Sequence, residues 1–346
     1  IWRRLGNRIR ARGPGAPSGY GDPLGALPLR EAICDYVRRS RSVNCTPQQI
    51  LITAGTQQGL YLAAQILLDA GNSAWVEDPA YAGITALFNS LFRDRHMIRV
   101  PVANDGIDVA AGVRLAADAR AAFVTPSHQY PLGMPMSMAK RSALLAWAKE
   151  RQAWIVEDDY DSEFHYDGLP IPAMQGLDRR GRVLYLGTFS KSLFPSLRLA
   201  YLIVPPALVE PFVTARTVYD GHSAQLMQAI TAEFIRQGHF AAHIRYMRQL
   251  YHSRRDVLLT EVREKLGHFA TPAPAAGGLQ LSVWLQPGRE AALSQQARRL
   301  GVLTPGLTAQ YQTVQAQRDG WLLGFSALTP GEIRSAVERL ARIVVA

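Results

Sequence analysis

Between Ile50 and Val204 the chain alternates short apolar runs with helical ones, and this alternation limits the fold more than any other feature. Strands are expected at 50–53, 74–77, 97–100, 122–125, 154–157, 183–187 and 199–204. Strands that rejoin one sheet through helices run mostly parallel, with both faces covered. The expectation is therefore an α/β protein whose large domain holds a mostly parallel seven-stranded sheet. Helices are expected at 206–219, 224–237 and about 240–266. From Ala270 onward the pattern reads strand, helix, strand, strand, helix, a smaller α+β domain. The expected division is a linker or N-terminal arm over 1–20, a large domain over 21–269 and a small domain over 270–346. Residues 21–45 would serve the small domain or the junction between the two.

One lysine gives the chemistry. Of 38 Lys and Arg residues only Lys140, Lys149, Lys191 and Lys265 are lysines, so arginine serves wherever a bare positive charge suffices. Lys191 sits in Thr188-Phe189-Ser190-Lys191-Ser192-Leu193-Phe194-Pro195-Ser196-Leu197-Arg198. An amine that can lose its proton forms a Schiff base with an aldehyde, and a guanidinium does not. The hydroxyls of Thr188 and Ser190 and the cation of Arg198 suit a phosphate beside that aldehyde. Pyridoxal 5'-phosphate (PLP) carries both groups. The plainer alternative is a lysine that caps a turn at a strand end.

Upstream, the strand at 154–157 runs into Glu157-Asp158-Asp159-Tyr160-Asp161-Ser162-Glu163-Phe164. A carboxylate keeps the PLP pyridine nitrogen protonated, and a phenol two residues on can reach the ring's 3'-oxygen. Side chains alternate along a strand, so Asp158 and Tyr160 share a face and Asp159 points away. A solvated acidic loop or a divalent-metal site are the other readings of such a run. Further upstream, the strand at 50–53 leads through Gly55-Thr56-Gln57-Gln58 into an apolar helical run. A glycine turn at a helix N-terminus offers free N–H groups to an anion. Val76-Glu77-Asp78-Pro79-Ala80-Tyr81 could place Tyr81 on a ring face, or simply in the core.

Together these segments resemble the fold-type I PLP-dependent transferases, the aspartate aminotransferase superfamily. The chain is more closely similar to the aminotransferase-like domain of MocR-type regulators of the GntR family. The likeness covers nearly the whole chain. It rests on Tyr20-Gly21-Asp22-Pro23-Leu24-Gly25 with Leu29-Arg30-Glu31-Ala32-Ile33, and on Glu77-Asp78-Pro79-Ala80-Tyr81. Its specific part is Thr125-Pro126-Ser127-His128-Gln129-Tyr130-Pro131-Leu132-Gly133 with the acidic run above. The resemblance implies that Lys191 is the aldimine lysine, that Asp158 pairs with the pyridine nitrogen and that Tyr160 contacts the 3'-oxygen. Tyr81 would stack on the ring. Gly55, Thr56, Thr188, Ser190 and Arg198 would hold the phosphate, with Gln57 in the same turn. Tyr20 would reach the phosphate of a partner subunit, which implies a homodimer. Tyr130 falls where the enzymes carry Asn, and Ala200 where Gly is common.

One departure bears on activity. The enzymes anchor a substrate α-carboxylate with an arginine on a late strand. The matching segment here is Trp321-Leu322-Leu323-Gly324-Phe325-Ser326, with Leu322 in the arginine's place and Arg318 before a glycine turn. A bidentate carboxylate clamp is not expected, and efficient transamination of α-amino acids is not expected with it.

Composition fits a globular protein of 346 residues, 48% hydrophobic and 19% charged. No apolar run is long enough to span a bilayer, and Ile1-Trp2-Arg3-Arg4-Leu5 lacks a signal-peptide core. Cys34 and Cys45 form no metal or redox pattern and suit a reducing cytoplasm. The net charge of +10 allows attraction to nucleic acid, but its arginines are spread along the chain. The densest clusters are Arg3-Arg4 with Arg8, Arg10 and Arg12, and Arg38-Arg39 with Arg41; the first precedes Gly13-Pro14-Gly15-Ala16-Pro17 and reads as a linker. The chain opens on Ile1 rather than Met, so a DNA-binding winged helix is expected on a segment that precedes it. Two readings remain: a cytoplasmic regulator domain that binds PLP and a small amine, or a free-standing aminotransferase. A metal-binding α/β protein without PLP is a third.

Overall fold

A computed structural model describes residues 1–13, 17–168, 171–314 and 317–343. The linker sequence expected at 13–17 thus lies partly outside the described residues. In chain order the first elements are α1 (Trp2–Arg10), α2 (Leu27–Arg41), β1 (Ile50–Thr53), α3 (Thr56–Leu67), β2 (Ser73–Asp78) and α4 (Ala82–Leu91). Then come β3 (His96–Ala103), β4 (Gly106–Ile107), α5 (Val109–Leu115), β5 (Ala121–Val124), α6 (Met138–Arg151) and β6 (Trp154–Asp159). Next are α7 (Met174–Leu177), β7 (Val183–Thr188), α8 (Phe189–Ser192), β8 (Ala200–Ile203), α9 (Val209–Tyr219), α10 (Gln225–Arg236) and α11 (His239–Leu266). The C-terminal part holds β9 (Ala270–Pro272), β10 (Gln280–Leu285), α12 (Glu290–Arg299), β11 (Gly320–Gly324) and α13 (Pro330–Leu340).

The large sheet runs β1-β8-β7-β6-β5-β2-β3-β4. β3, β2, β5, β6 and β7 are mutually parallel, while β8 lies antiparallel between β7 and β1. It has eight strands rather than the expected seven. β3 is longer than its apolar stretch, and a turn through Asn104 and Asp105 folds β4 back on it, pairing Val102 with Ile107. Gly106, at φ 122°, supplies the positive φ that this hairpin needs. The inner strands β5, β7 and β8 and the edge strand β1 are buried at every residue, as a sheet covered on both faces requires.

Two further expectations change. Residues 2–10, read as a linker, form a helix whose Leu5, Gly6 and Ile9 are buried. Arginines at 3, 4, 8 and 10 hide that apolar stripe in the composition, and Trp2 packs edge-on against Phe194 and Phe234. In the C-terminal part the order is strand, strand, helix, strand, helix. The extra strand lies before α12, where β9 pairs with β10 despite Pro272. Between α12 and β11 the described residues form no further strand: Gly306 makes an isolated bridge to Trp321 of β11, and Pro305 beside it offers no N–H to extend a ladder.

The sheet's carboxyl end carries the polar residues, and α2 reaches across to hold it. Arg41, buried, donates to Asp159 Oδ2 at 2.9 Å, to Ser127 Oγ at 2.6 Å and to the Ile171 carbonyl at 2.8 Å. Removing one partner of a buried ion pair strands the other charge. Arg41→Ala is expected to lower stability by about 3–5 kcal/mol, read by urea titration. A loss under about 1 kcal/mol would show that water replaces the guanidinium.

Candidate active site

Lys191 stands one turn beyond β7, in the short helix α8. It is exposed to a cavity of about 320 Å³ and makes no hydrogen bond or ion pair among the described residues. The neighbouring strand β6 delivers Asp158 to the same cavity, with Tyr160 just beyond it. Asp159 turns to the opposite face, where Arg41, Tyr185 (2.6 Å) and Ser162 (2.8 Å) all donate to Oδ2. Burial would raise its pKa, but Arg41 and these hydroxyls hold it below the usual range.

Asp158 has no such partners. Neither of its oxygens accepts a hydrogen bond within the described residues, and Oδ1 is fully buried. Burial first, then Asp159, Asp161 and Glu77, pushes its pKa up to about 8. A cation delivered to this carboxylate would meet a ready acceptor. Tyr160 is pushed well above its ordinary range by burial and then by Asp161 and Asp158, so it remains a phenol and a donor.

The opposite wall is aromatic. Tyr81, at the N-terminus of α4, meets Tyr130 edge-on at 5.9 Å, and Tyr130 meets Tyr160 at 5.9 Å. Tyr81 can lie flat there because residue 83 is glycine. A Cβ on Gly83 would come within 2.1 Å of the tyrosine ring. Thr56 and Gln57 open α3, whose cap is Gly55 at φ 134° with no capping side chain, so the first N–H groups face the cavity. Arg198 comes from the other side, in a left-handed conformation at φ 52° that a non-glycine residue adopts at a cost. A Cβ on Gly55 would lie 2.8 Å from Arg198 Nη2, so only glycine lets the guanidinium approach the turn. Thr188 and Ser190 add hydroxyls between them and Lys191.

Ten of the twelve residues expected from the sequence thus line one cavity: Thr56, Gln57, Tyr81, Tyr130, Asp158, Tyr160, Thr188, Ser190, Lys191 and Arg198. Gly55 adjoins it through Arg198. Tyr20 does not enter it. Its side chain is fully exposed, 6.1 Å from the ring of His222. Sequence reading missed Thr125, Asp161, Pro195, Leu279 and Gln280 as lining residues. Asp161 and Thr125 stood in motifs already noted, but Leu279 and Gln280 arrive from the start of β10 and carry no local signal.

The second specific motif proves to be a bracket for the others. Ser127 accepts from Arg41, and His128 Nδ1 lies 2.8 Å from Asp161 Oδ1. Gln129 donates to the Pro79 carbonyl at 2.8 Å, and Thr125 donates to Glu77 at 2.7 Å. Leu322 lies on β11 opposite Ser282 and outside the cavity lining. Arg318 is outside it too: it lies over Trp284 at 4.0 Å, in a separate cleft with Asp78 and Tyr311. Among the described residues no three His, Cys, Asp or Glu side chains are grouped as a metal ion requires.

A family model, "Aminotransferase class I and II", matches residues 7–340. The probable rhizopine catabolism regulatory protein MocR of Rhizobium meliloti is 38% identical over 98% of this chain and 68% of its own length. The uncharacterized HTH-type transcriptional regulator YhdI of Bacillus subtilis is 37% identical, over 98% of this chain and 71% of its own length. The chain belongs to the aminotransferase class I and II family, with the MocR-type regulators. Among solved structures, the kynurenine aminotransferase of Pyrococcus horikoshii, in complex with PMP, superposes with a TM-score of 0.89 at 27% identity. That superposition covers 98% of this chain and 85% of the other.

The family's cofactor is PLP, and the residues present fit it. Asp158 is an unpartnered buried acceptor, and the glycine-capped helix with Arg198 forms an anion cradle. In the cofactor-free protein the raised pKa of Asp158 has a thermodynamic sign. The unfolded chain releases this proton near about pH 4 and the folded chain near 8, so this group makes stability fall as pH rises across that window. Asp158→Asn is therefore expected to raise the melting temperature of the cofactor-free protein, more at about pH 8 than at about pH 5.5, while PLP affinity falls. Thermal melts at the two pH values check this. A variant less stable than wild type at the higher pH would contradict it.

Proposed function

We propose that this chain is the effector-sensing domain of a MocR-type transcription regulator, with Lys191 as the covalent anchor of PLP and a small amine as the effector. The observation that carries the reading is the lining of the cavity. It offers one arginine, Arg198, and that arginine sits at the phosphate cradle. Where the enzymes place a carboxylate clamp this chain has Leu322, and Arg318 faces another cleft.

Bound PLP supplies an electron sink for bonds at the carbon that bears the amine. The chain's residues would do the rest. Asp158 would accept a hydrogen bond from the protonated ring nitrogen and so keep it charged. Tyr160 donates to the 3'-oxygen, and Tyr81 covers one ring face. Thr56, Thr188, Ser190, Arg198 and the first N–H groups of α3 hold the phosphate. Lys191, if an effector amine took its place on the cofactor, would be left as a free side chain on α8 just beyond β7, which is the local change a sensor needs.

Tyr20 is wholly exposed beside His222, which supports a role against the cavity of a partner subunit in a homodimer. Contact with DNA would belong to a preceding winged-helix segment, as the HTH-type names of the relatives suggest. No helix among the described residues is long and apolar enough to cross a membrane, and a cytoplasmic location suits the reading.

Borohydride reduction of the PLP-loaded protein should fix the cofactor on the peptide that holds Lys191, and Lys191→Ala should abolish that label. Trapping on another lysine would refute the anchor. Positioning of a substrate contributes about 7–11 kcal/mol to lowering a barrier, and much of it is lost without a carboxylate clamp. Turnover of α-amino acids with a keto acid acceptor is expected to stay well below about 1 s⁻¹. Steady-state assays over a panel of donors decide this, and faster turnover would restore the enzyme reading. Sedimentation should show a dimer, with Tyr20→Ala weakening PLP retention. A monomer that holds PLP fully would count against shared sites.

A further inference from the structure

The cavity holds a second acid that the proposed cofactor contacts leave unused. Asp161 lines it three residues beyond Asp158, and its side chain is 2% exposed. Oδ1 is held by His128 Nδ1 at 2.8 Å, but Oδ2 has no hydrogen-bond partner among the described residues. Its position is fixed by the junction between the two domains. Gly278, at φ 88°, lies over Oδ2, and a Cβ there would stand 3.2 Å from it. The Gly278 N–H donates to the Phe164 carbonyl at 2.8 Å, and Leu279 and Gln280, the next two residues, line the cavity.

A buried carboxylate oxygen without a donor is costly, and a ligand that supplies one recovers that cost. The cavity's two cations are otherwise committed, Lys191 to the aldehyde and Arg198 to the phosphate. Asp158 is committed to the ring nitrogen. The charge left for an effector's far end is therefore negative. A ligand carboxylate would meet Asp161 and no arginine, whereas an ammonium would meet the unpartnered Oδ2.

Resting on the PLP reading above, we infer that Asp161 selects the effector, and that the effector is a small diamine: one amine to replace Lys191 and a second cationic nitrogen for Asp161. Asp161 then discriminates among amines through charge, and Gly278 and Gln280 bring the small domain against the same ligand. A specificity built this way rejects amino acids by an unpaired like charge as much as it attracts diamines.

Calorimetric titration of the PLP-loaded protein tests this. The probes are α,ω-diamines of about three to five carbons, each beside the monoamine and the ω-amino acid of the same chain length. At the preferred length the diamine should bind at least about tenfold more tightly than the monoamine, the size of one charge-assisted hydrogen bond, and the ω-amino acid more weakly than either. In Asp161→Asn the ratio of diamine to monoamine affinity should fall towards one. Equal affinities in the wild type at every length would overturn the inference, and so would a ratio that Asp161→Asn leaves intact. If Asp161→Asn does not fold, the wild-type series still decides. Visible absorbance of the loaded protein reports separately on the cofactor, so a wild type that takes up no PLP would defeat the functional reading and not only this one.

Discussion

Five buried carboxylates and the half-buried Glu163 lie at the carboxyl end of the large sheet, and the site is arranged around the need to neutralise them. Glu77, Glu157, Asp158, Asp159, Asp161 and Glu163 are packed within two strand ends and one loop. Isolated buried charges are prohibitive, so each must be paired, hydrogen-bonded or protonated. Glu157 accepts from the Met174 and Gln175 N–H groups at 2.8 and 2.9 Å, Glu163 from the Tyr36 hydroxyl at 3.1 Å, and Asp159 from Arg41. Burial still pushes Glu77, Glu157 and Glu163 up to about 7. Asp158, left without a donor, is the point at which this network waits for a ligand.

This accounts for the sequence between residues 125 and 133, whose polar residues would otherwise look interchangeable. Thr125, Ser127, His128 and Gln129 each meet a different element: Glu77 on β2, Arg41 of α2, Asp161 beyond β6, and the Pro79 carbonyl. One loop thereby fixes the relative heights of three strands' ends. Precision of this kind is what a ring-binding cavity needs from side chains that never touch the ring.

Much of the site was legible because its residues sit in short runs at strand ends. Period-two alternation separates Asp158 from Asp159 without any structure, and the scarcity of lysine isolates Lys191. What stayed hidden depends on distance along the chain. Arg41 and Asp159 are 118 residues apart, and nothing near Arg41 announces an acid. Leu279 and Gln280 come from the start of β10, far along the chain from Lys191, and their approach depends on glycines at 277 and 278 that a sequence shows only as a turn. The N-terminal helix was concealed by arginines that dilute a narrow apolar stripe, and β4 by its length of two residues. The C-terminal order differed because β9 pairs with β10 before α12 and because Pro305 limits pairing with β11 to one bridge.

Glu77 and Asp78 are neighbours in the chain with separate loyalties. Glu77 is bound by Thr125, in the loop that carries Tyr130, whereas Asp78 accepts the Gln312 and Thr313 N–H groups, between α12 and β11, at 2.9 and 3.0 Å. A single peptide unit therefore joins the loop that lines the cavity to the segment ahead of β11. β2 is packed between β5 and β3 and cannot stretch, so it acts as a stiff push-rod. If the ring wall is displaced along this strand, the loop at 312–313 must travel with it or give up two hydrogen bonds to a buried acid.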